Sequence, residues 1–553
     1  MRAIAIVSLA IACGGGHGTT PHDAAPIDAP ADAPPLTNTV TGNIVEIESQ
    51  NDGSGNPVSI VGHPDPSAIT LAVRRVDGST ADVAYGNDGT FTFQLAQPGD
   101  AYRLTLTITG QSPKEFDSSA PHVQLGLLGA GRIPRTAPKA AVQIQASFDN
   151  WVVGDTAFLQ TTGLWTATSQ EIETSPAPPA TEPWGFTWEW DDAVSLSGGI
   201  GLLDGSAGDI FAITDWHPTG SGAGAYESIV GALVHDDVTM HDGDLLHFGV
   251  TNVPIDMPAI PARCAHVVAP RATEMARVAA ALPDVYNSAT DEWDLLVPAG
   301  SGLAATGAMP LATASEREGT LALSAAEWRR GSIERVPPAG SATDANLTVS
   351  FGDPFAGDQL IVEDIAHELR EIHADPGSDD FGVFVNEGTQ TFAEVDLPVD
   401  CTGTAVLAQV APAVAIVAQP SANGAALDHD GAVVAADAGS DVTVAWTNAS
   451  DGVADEYAVE LITLTDVNDQ ATLGVVLTVF ATDPQVAFDA SLFQPGQQYL
   501  IEVFARQGFP NAADGDFATE TFPFANGVTM SHAFTVAVSA GSGSATRSPP
   551  ARP

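Results

Sequence analysis

The densest grouping of metal-ligand side chains is His235, Asp236, Asp237, His241, Asp242, Asp244 and His247, with Asp215 and His217 on the segment before it. Imidazole with carboxylate suits zinc, and carboxylates with carbonyl oxygens suit calcium. His235, Asp237, His241 and Asp244 are therefore the candidate ligands, and neither ion is excluded. The same residues sit where a strand ending near Val234 turns back at Leu245. A polar turn on an acidic β-protein accounts for them without any ion. No Asp-x-Asp-x-Asp-Gly calcium loop completes itself there or around Asp466 to Asp469. The run His367-Glu368-Leu369-Arg370-Glu371-Ile372-His373 invites comparison with the zinc motif H-E-x-x-H, but Glu371 stands where the second histidine is needed. On a helix turning about 100° per residue, His373 lies roughly 600° round from His367 and off its face.

Trp184, Phe186, Trp188 and Trp190 alternate with Gly185, Thr187, Glu189 and Asp191, so on a strand all four rings face one way. Exposed, they would be a platform for stacking sugar rings, with nearby carboxylates to bind hydroxyls. Buried, they are the core face of a sheet, each ring covering roughly 150 Å² or more. The core is the expectation, because large exposed apolar patches are rare without a partner. The templates for covalent and nucleotide chemistry fail: no serine has glycine two residues before and two after it, and neither lysine follows a glycine. Carboxylates are too numerous for a catalytic pair to be chosen, so glycoside hydrolysis is unsupported and no catalytic residue is assigned.

The elements that would position these groups belong to a chain of 553 residues, with 69 acidic against 19 basic side chains and a net charge of −50. That length allows several domains. Charged residues are only 16 % and hydrophobic residues 44 %, so most of the chain can bury cores. A surface this negative gains nothing from counterion release, which sets nucleic acid and anionic headgroups aside as partners. High-GC coding explains the acidity most simply, and adaptation to salt is the alternative; Lys114 and Lys139 are the only lysines.

Met1-Arg2 is followed by an apolar run from Ala3 to Ala12, then Cys13 and three glycines. The run is too short to span a bilayer and reads as an export signal. Leu9-Ala10-Ile11-Ala12-Cys13 resembles the lipobox of bacterial lipoproteins, although Leu9 stands one residue further from the cysteine than is usual. The resemblance implies cleavage after residue 12 and lipidation of Cys13, with an ordinary cleaved signal as the alternative. Residues 14–35 are mostly Gly, Pro, Ala and Asp, a composition that cannot bury enough surface to offset chain entropy, and read as a disordered tether. Residues 539–553 read as a similar tail. The expected localisation is the outer membrane or cell surface, with the lipid as the membrane attachment.

Cys264 and Cys401 remain. An exported protein sits where disulfides persist, so the two are expected to pair, with free buried thiols as the alternative. Zinc would need more ligands at short spacing, and no C-x-x-C is present.

Strand and turn patterning covers residues 38–125. Val40-Thr41-Gly42, Ile69 to Val73, Asn87-Asp88-Gly89-Thr90-Phe91-Thr92-Phe93 and Pro98-Gly99 with Tyr102 resemble carboxypeptidase-regulatory-like β-sandwiches of the prealbumin-like kind. Residues 413–538 carry Asp441-Val442-Thr443-Val444-Ala445-Trp446, Tyr457-Ala458-Val459-Glu460-Leu461, and Phe493-Gln494-Pro495-Gly496-Gln497-Gln498-Tyr499-Leu500-Ile501-Glu502-Val503-Phe504-Ala505. This set resembles a fibronectin type III domain, which implies a tyrosine corner at Tyr499 and a core tryptophan at Trp446. A long insert from Gln507 to Met530 departs from that family and is a place where binding could lie.

Residues 126–282 and 283–405 match no family by motif and read as β-rich. Gly-Asp pairs at 154–155, 208–209, 243–244 and 357–358 precede apolar segments, as Gly99-Asp100 does in the first module. Short helices are expected at Ala272 to Leu282 and at Ile361 to Ile372, where Ile361, Val362, Ile365, Leu369 and Ile372 share a helical face. The expectation is a mainly β protein of tandem sandwiches with a few short helices in the middle. It would act at the cell envelope as a structural, adhesive or binding module without catalysis, with a polysaccharide or protein partner. The competing class is a secreted hydrolase or glycan-binding protein with its site within 126–405.

Overall fold

The computed structural model describes residues 38–51, 57–128, 139–149 and most of 413–539; between 150 and 412 it describes mainly strands. The first module contains β1 (Thr39–Asn51), β2 (Pro57–Gly62), β3 (Ile69–Arg75), β4 (Thr80–Val83), β5 (Thr90–Gln94), β6 (Tyr102–Ile108), β7 (Lys114–Ser118) and β8 (His122–Leu128). Alternation decides which side chains enter. Phe91 and Phe93 of β5 are buried while Thr90 and Thr92 are exposed, and Leu104 and Leu106 of β6 point into the same core. One sheet runs β2–β1–β5 with β8 parallel to β1, and the other runs β4–β3–β6–β7. The Asp88-Gly89 turn before β5 needs glycine twice over: its φ is +77°, and a Cβ would sit 2.6 Å from the His63 side chain.

The middle region carries β9 (Val142–Phe148), β10 (Thr156–Thr162), β11 (Ala167–Ile172), β12 (Trp184–Trp190), β13 (Phe211–Thr219), β14 (Tyr226–His235) and β15 (Leu245–Phe248). After them come β16 (Ala262–Ala269), β17 (Gly300–Thr306), β18 (Ser324–Trp328), β19 (Ala345–Gly352), β20 (Gln359–Ile372), β21 (Val383–Val395) and β22 (Thr404–Val406). Each Gly-Asp pair noted above is followed within three residues by a strand. Val142, Ile144, Phe148, Phe211, Ile213 and Phe248 form the core described here.

The helix expected at Ile361 to Ile372 is instead part of the 14-residue strand β20, paired with β21 from Gln359↔Val395 to Ile372↔Val383. Its register shifts between Glu368 and Arg370. That bulge inserts one residue into a period-two pattern, and the apolar positions then mimic a helical face. The β-branched Ile361, Val362, Ile365 and Ile372 favour the strand. Within 272–282, Arg277 alone is described; its backbone is helical and its guanidinium donates to the Val414 carbonyl at 2.7 Å.

The last domain contains β23 (Ser421–Ala422), β24 (Ala425–Ala426), β25 (Ala432–Asp437), β26 (Asp441–Ala445), β27 (Glu456–Asp466), β28 (Ala471–Ala481), β29 (Gln485–Asp489), β30 (Gln498–Gln507), β31 (Phe524–Met530) and β32 (Phe534–Ser539). One sheet is β24–β23–β26–β29, and facing it are β28–β27–β30 with β31 and β32 beyond. Val442, Val444, Trp446, Val459, Leu461, Ile501, Val503 and Phe534 fill the space between them. Trp446 meets Tyr457 edge to face at 5.1 Å. Tyr499 is buried, donates to the Leu492 carbonyl at 3.1 Å and accepts from the Gln494 amide at 2.7 Å, which is the tyrosine corner.

Strand pairing continues through all three regions. It runs β4–β3–β6–β7, crosses to β28–β27–β30–β31, and passes on through β21–β20–β17–β18–β14–β13–β10–β11. The last domain in sequence is therefore the central one in the sheet.

Candidate functional site at the seam between the terminal modules

Part of the insert after β30 folds back into the molecule. Asp455 turns the chain back by accepting the amides of Gly508 (2.8 Å) and Phe509 (3.0 Å). Asp516 then accepts the amides of Ala518 and Thr519 at 3.1 and 2.9 Å. These turns deliver Phe517 into the core of the first module, where its ring lies 5.4 Å from Phe116, itself stacked on Phe480 of β28 at 4.9 Å. Main chain holds it there: Phe517 donates to the Gln124 carbonyl and Gln124 to the Gly515 carbonyl, both at 3.0 Å. Gly515 is at φ +92°, and a Cβ on it would fall 2.2 Å from the His122 carbonyl oxygen. Through Gly515 and Phe517 the described part of the insert is thus a clasp on β8, while Pro510, Asn511, Ala513 and Asp514 at its turn are exposed.

Opposite the clasp, β3 and β6 meet β26 and β29 across a cleft of about 520 Å³. Arg74 is paired with Asp441 across it. Arg103 grips Asp117 with two parallel bonds of 2.6 and 2.5 Å, approaches Glu115 at 3.1 Å and donates to the Ala487 carbonyl of edge strand β29. The planar guanidinium makes such a fork possible. A carboxylate matches both arginines, so the cleft is a cross-brace rather than an open anion pocket. The guanidinium also caps part of an edge strand that would otherwise invite pairing.

On the outer face of the central sandwich, strand register lines up charged groups in a place shielded from water. Glu456 of β27 lies opposite Arg506 of β30, whose guanidinium donates at 2.5 Å and rests 3.8 Å over the Phe509 ring. Burial pushes the Glu456 carboxyl up to about 7, and Arg506 pulls it back. Two rows along, Lys114, Thr478, Glu460 and Glu502 stand opposite one another on β7, β28, β27 and β30. Burial raises Glu460 to about 7, against the opposing pull of the Thr478 hydroxyl at 3.2 Å and of Lys114.

The residues singled out by sequence fall elsewhere. His241 and Asp244 close a turn on themselves, the ring nitrogen 3.0 Å and the His241 amide 2.8 Å from the same carboxylate oxygen, with Gly243 at φ +75°. Asp242 accepts the Lys139 amide, the His235 ring packs on Phe248 at 5.0 Å, and Asp237 lies outside the described residues. Among the described residues no three His, Cys, Asp or Glu side chains converge to hold a metal ion. His367 stands opposite Glu387 on the β20–β21 pair, so helical spacing does not apply to it.

Trp184, Phe186, Trp188 and Trp190 occupy β12 opposite Phe148, Ala146, Ile144 and Val142 of β9. Those four partners are buried, while Gln143, opposite the exposed Glu189, is exposed. Directly paired residues share a face, so the register puts the aromatic positions on the buried side of β9. Their side chains lie outside the described residues, as do Cys13 and Cys401 and the side chain of Cys264 on β16.

Sequence reasoning passed over the clasp and the buried row. A signal for the row was present: Glu460 and Glu502 each interrupt a run of apolar strand residues, where a charge is out of place.

No protein-family model and no curated protein matches the chain. Among solved structures, the crystal structure of the chicken CNTN1 FN1–FN3 domains aligns over 89 % of this chain and 99 % of that one, at 8 % identity and a TM-score of 0.11. That score is too low to show a shared arrangement. The β-sandwich of the last domain, with its core tryptophan and tyrosine corner, is shown by the chain's own strand pairing and packing. Among the described residues, no helix is long and apolar enough to cross a membrane.

Proposed function

We propose that the protein is a lipid-anchored component of a bacterial cell envelope, exported under the signal at residues 1–12 and held by Cys13. It works as a structural or adhesive module with a polysaccharide or protein partner and without catalysis. One observation carries the reading. The two terminal modules are joined by main-chain pairing of β7 with β28, by the Phe517 clasp and by the arginine brace. In the cleft of about 520 Å³ between them, Arg74 and Arg103 are each matched by a carboxylate, so these charged groups serve the joint. A tether of residues 13–37 would present this body away from the membrane. The first module as a carboxypeptidase-regulatory-like sandwich and the central one as a true fibronectin type III relative belong to the same proposal.

Fractionation of cells expressing the full chain and its Cys13→Ser variant tests the anchor. The variant should move from the membrane to the soluble fraction, and unchanged detergent partitioning would sink the lipoprotein assignment. The non-catalytic part fails if the mature protein turns over an envelope polysaccharide. Saturable glycan binding lost in a stably folded Trp188→Ala variant would instead favour a glycan-binding protein with its platform on β12 over a scaffold.

A further inference from the structure

The row formed by Lys114, Thr478, Glu460 and Glu502 joins separate parts of the chain. Lys114 comes from the first module, the next three residues from the central sandwich. Beyond Glu502 the register continues to Met530 of β31, whose amide donates at 2.8 Å to Glu387, a buried residue of β21 from the middle region. Three bodies therefore meet along one line of side chains. The outward-facing residues on one side are apolar, with Ile462, Leu464 and Leu500 packed with Met530 and Ile372, and on the other side Ala458 stands opposite Phe504.

The charges on this line do not balance. Glu460 and Glu502 are directly opposed on adjacent antiparallel strands, where like charges repel. Glu387 of β21 adds its charge against Glu502. Glu456 lies two positions along β27, held by Arg506, with Asp455 and Asp516 acting on it from the insert side. The cations facing the group are Lys114 from β7 and Arg506 from β30. The neighbouring Glu115 turns to the other face, toward Arg103, and His532 beyond Met530 is engaged by Asp430 at 3.1 Å. Four glutamates against two cations cannot all be ionised in a water-poor seam without a large cost. The second carboxylate oxygen of Glu460 is buried without a hydrogen-bond partner, as a fully charged carboxylate would not tolerate.

We propose that the row from Lys114 to Glu502, closed at its far end by Glu387, is a proton-operated latch. With protons shared among the glutamates it holds the first module and β21 against the central sandwich, and it loosens both when those protons are lost. The electrostatics run in the same direction. Glu502 keeps part of its surface toward solvent, yet burial of the rest, together with Glu460 and Glu387, raises its carboxyl well above the ordinary range. The pairing of β7 with β28 is short, three residues in parallel register, so little main-chain bonding opposes its release.

Hydrogen exchange of the full mature chain between pH 5.5 and 8.5, corrected for intrinsic exchange rates, tests the latch. Protection of β7 and β21 should fall by up to about tenfold for each unit by which a carboxyl of the row is raised, and should fall further than that of β26 in the sandwich core. Glu502→Gln, which keeps the shape and cannot ionise, should flatten that dependence. Wild-type protection of β7 and β21 that does not change with pH overturns the proposal, as does Glu502→Gln with the full wild-type dependence. Should the variant fail to fold, an infrared titration of the wild-type protein decides. A protonated-carboxyl band persisting at pH 6.5 and lost by pH 8.5 supports the latch, and no such band at pH 6.5 overturns it.

Discussion

Replacing Phe517 by alanine isolates the clasp, because this one ring belongs by sequence to the last domain and by packing to the first. Phe517 is 7 % exposed, so nearly all of its surface is removed from water. A phenylalanine carries roughly 200 Å² and an alanine about a third of that, so the change uncovers about 130 Å² of apolar surface. At about 25 cal/mol per Å² this is about 3 kcal/mol, and the cavity beside Phe116 and Phe480 raises the range to about 3 to 5 kcal/mol. The loss should appear where the clasp acts. Hydrogen exchange of the β8 amides, which pair with the insert through Gln124, should accelerate by roughly two to four orders of magnitude in the variant. Phe517→Leu, which keeps a large apolar side chain, should recover most of the protection. Acceleration of β8 by less than about tenfold in Phe517→Ala would refute the clasp as a stabilising device.

Tyr499→Phe removes the hydroxyl that satisfies both Gln494 and Leu492, and should cost about 1 to 3 kcal/mol in urea unfolding; a shift below about 0.5 kcal/mol would contradict the tyrosine corner's role. Glu456 and Glu460 are raised from 4.5 to about 7 in the folded chain, so the native state holds their protons longer than the unfolded one. Their stabilising share is intact below pH 4.5, is lost as pH rises to about 7 and then levels off, by up to about 3 kcal/mol for each group. The lowered aspartates Asp65, Asp88 and Asp489 titrate below that window, and urea midpoints rising between pH 5 and 8 would contradict the sign. His266 on β16 pairs with Thr404 on β22, so Cys264 and Cys401 precede that pair by two and three residues. We expect them to be disulfide-linked, and full alkylation of both under native, non-reducing conditions would exclude the bond.

Local periodicity was enough for the β character and for the interior of each terminal sandwich. Alternation in β5 and in β26 sets which residues enter the core, and the Pro-Gly turn before Tyr499 fixes the corner, because these depend on contacts between residues close in the chain. At β20 the same logic failed, since a single bulge turned a strand pattern into an apparent helix, and the strand is decided by its partner β21. The order of the regions in space was not legible either. Nothing local to residue 114 states that it will face residue 478, or that an insert at 517 will fill the core built by residues 40 to 125. Such pairings are settled by the sum of apolar burial and strand-edge satisfaction over the whole chain. The charges along Lys114, Glu460, Glu502 and Glu387 take on their meaning when three distant segments remove the water between them.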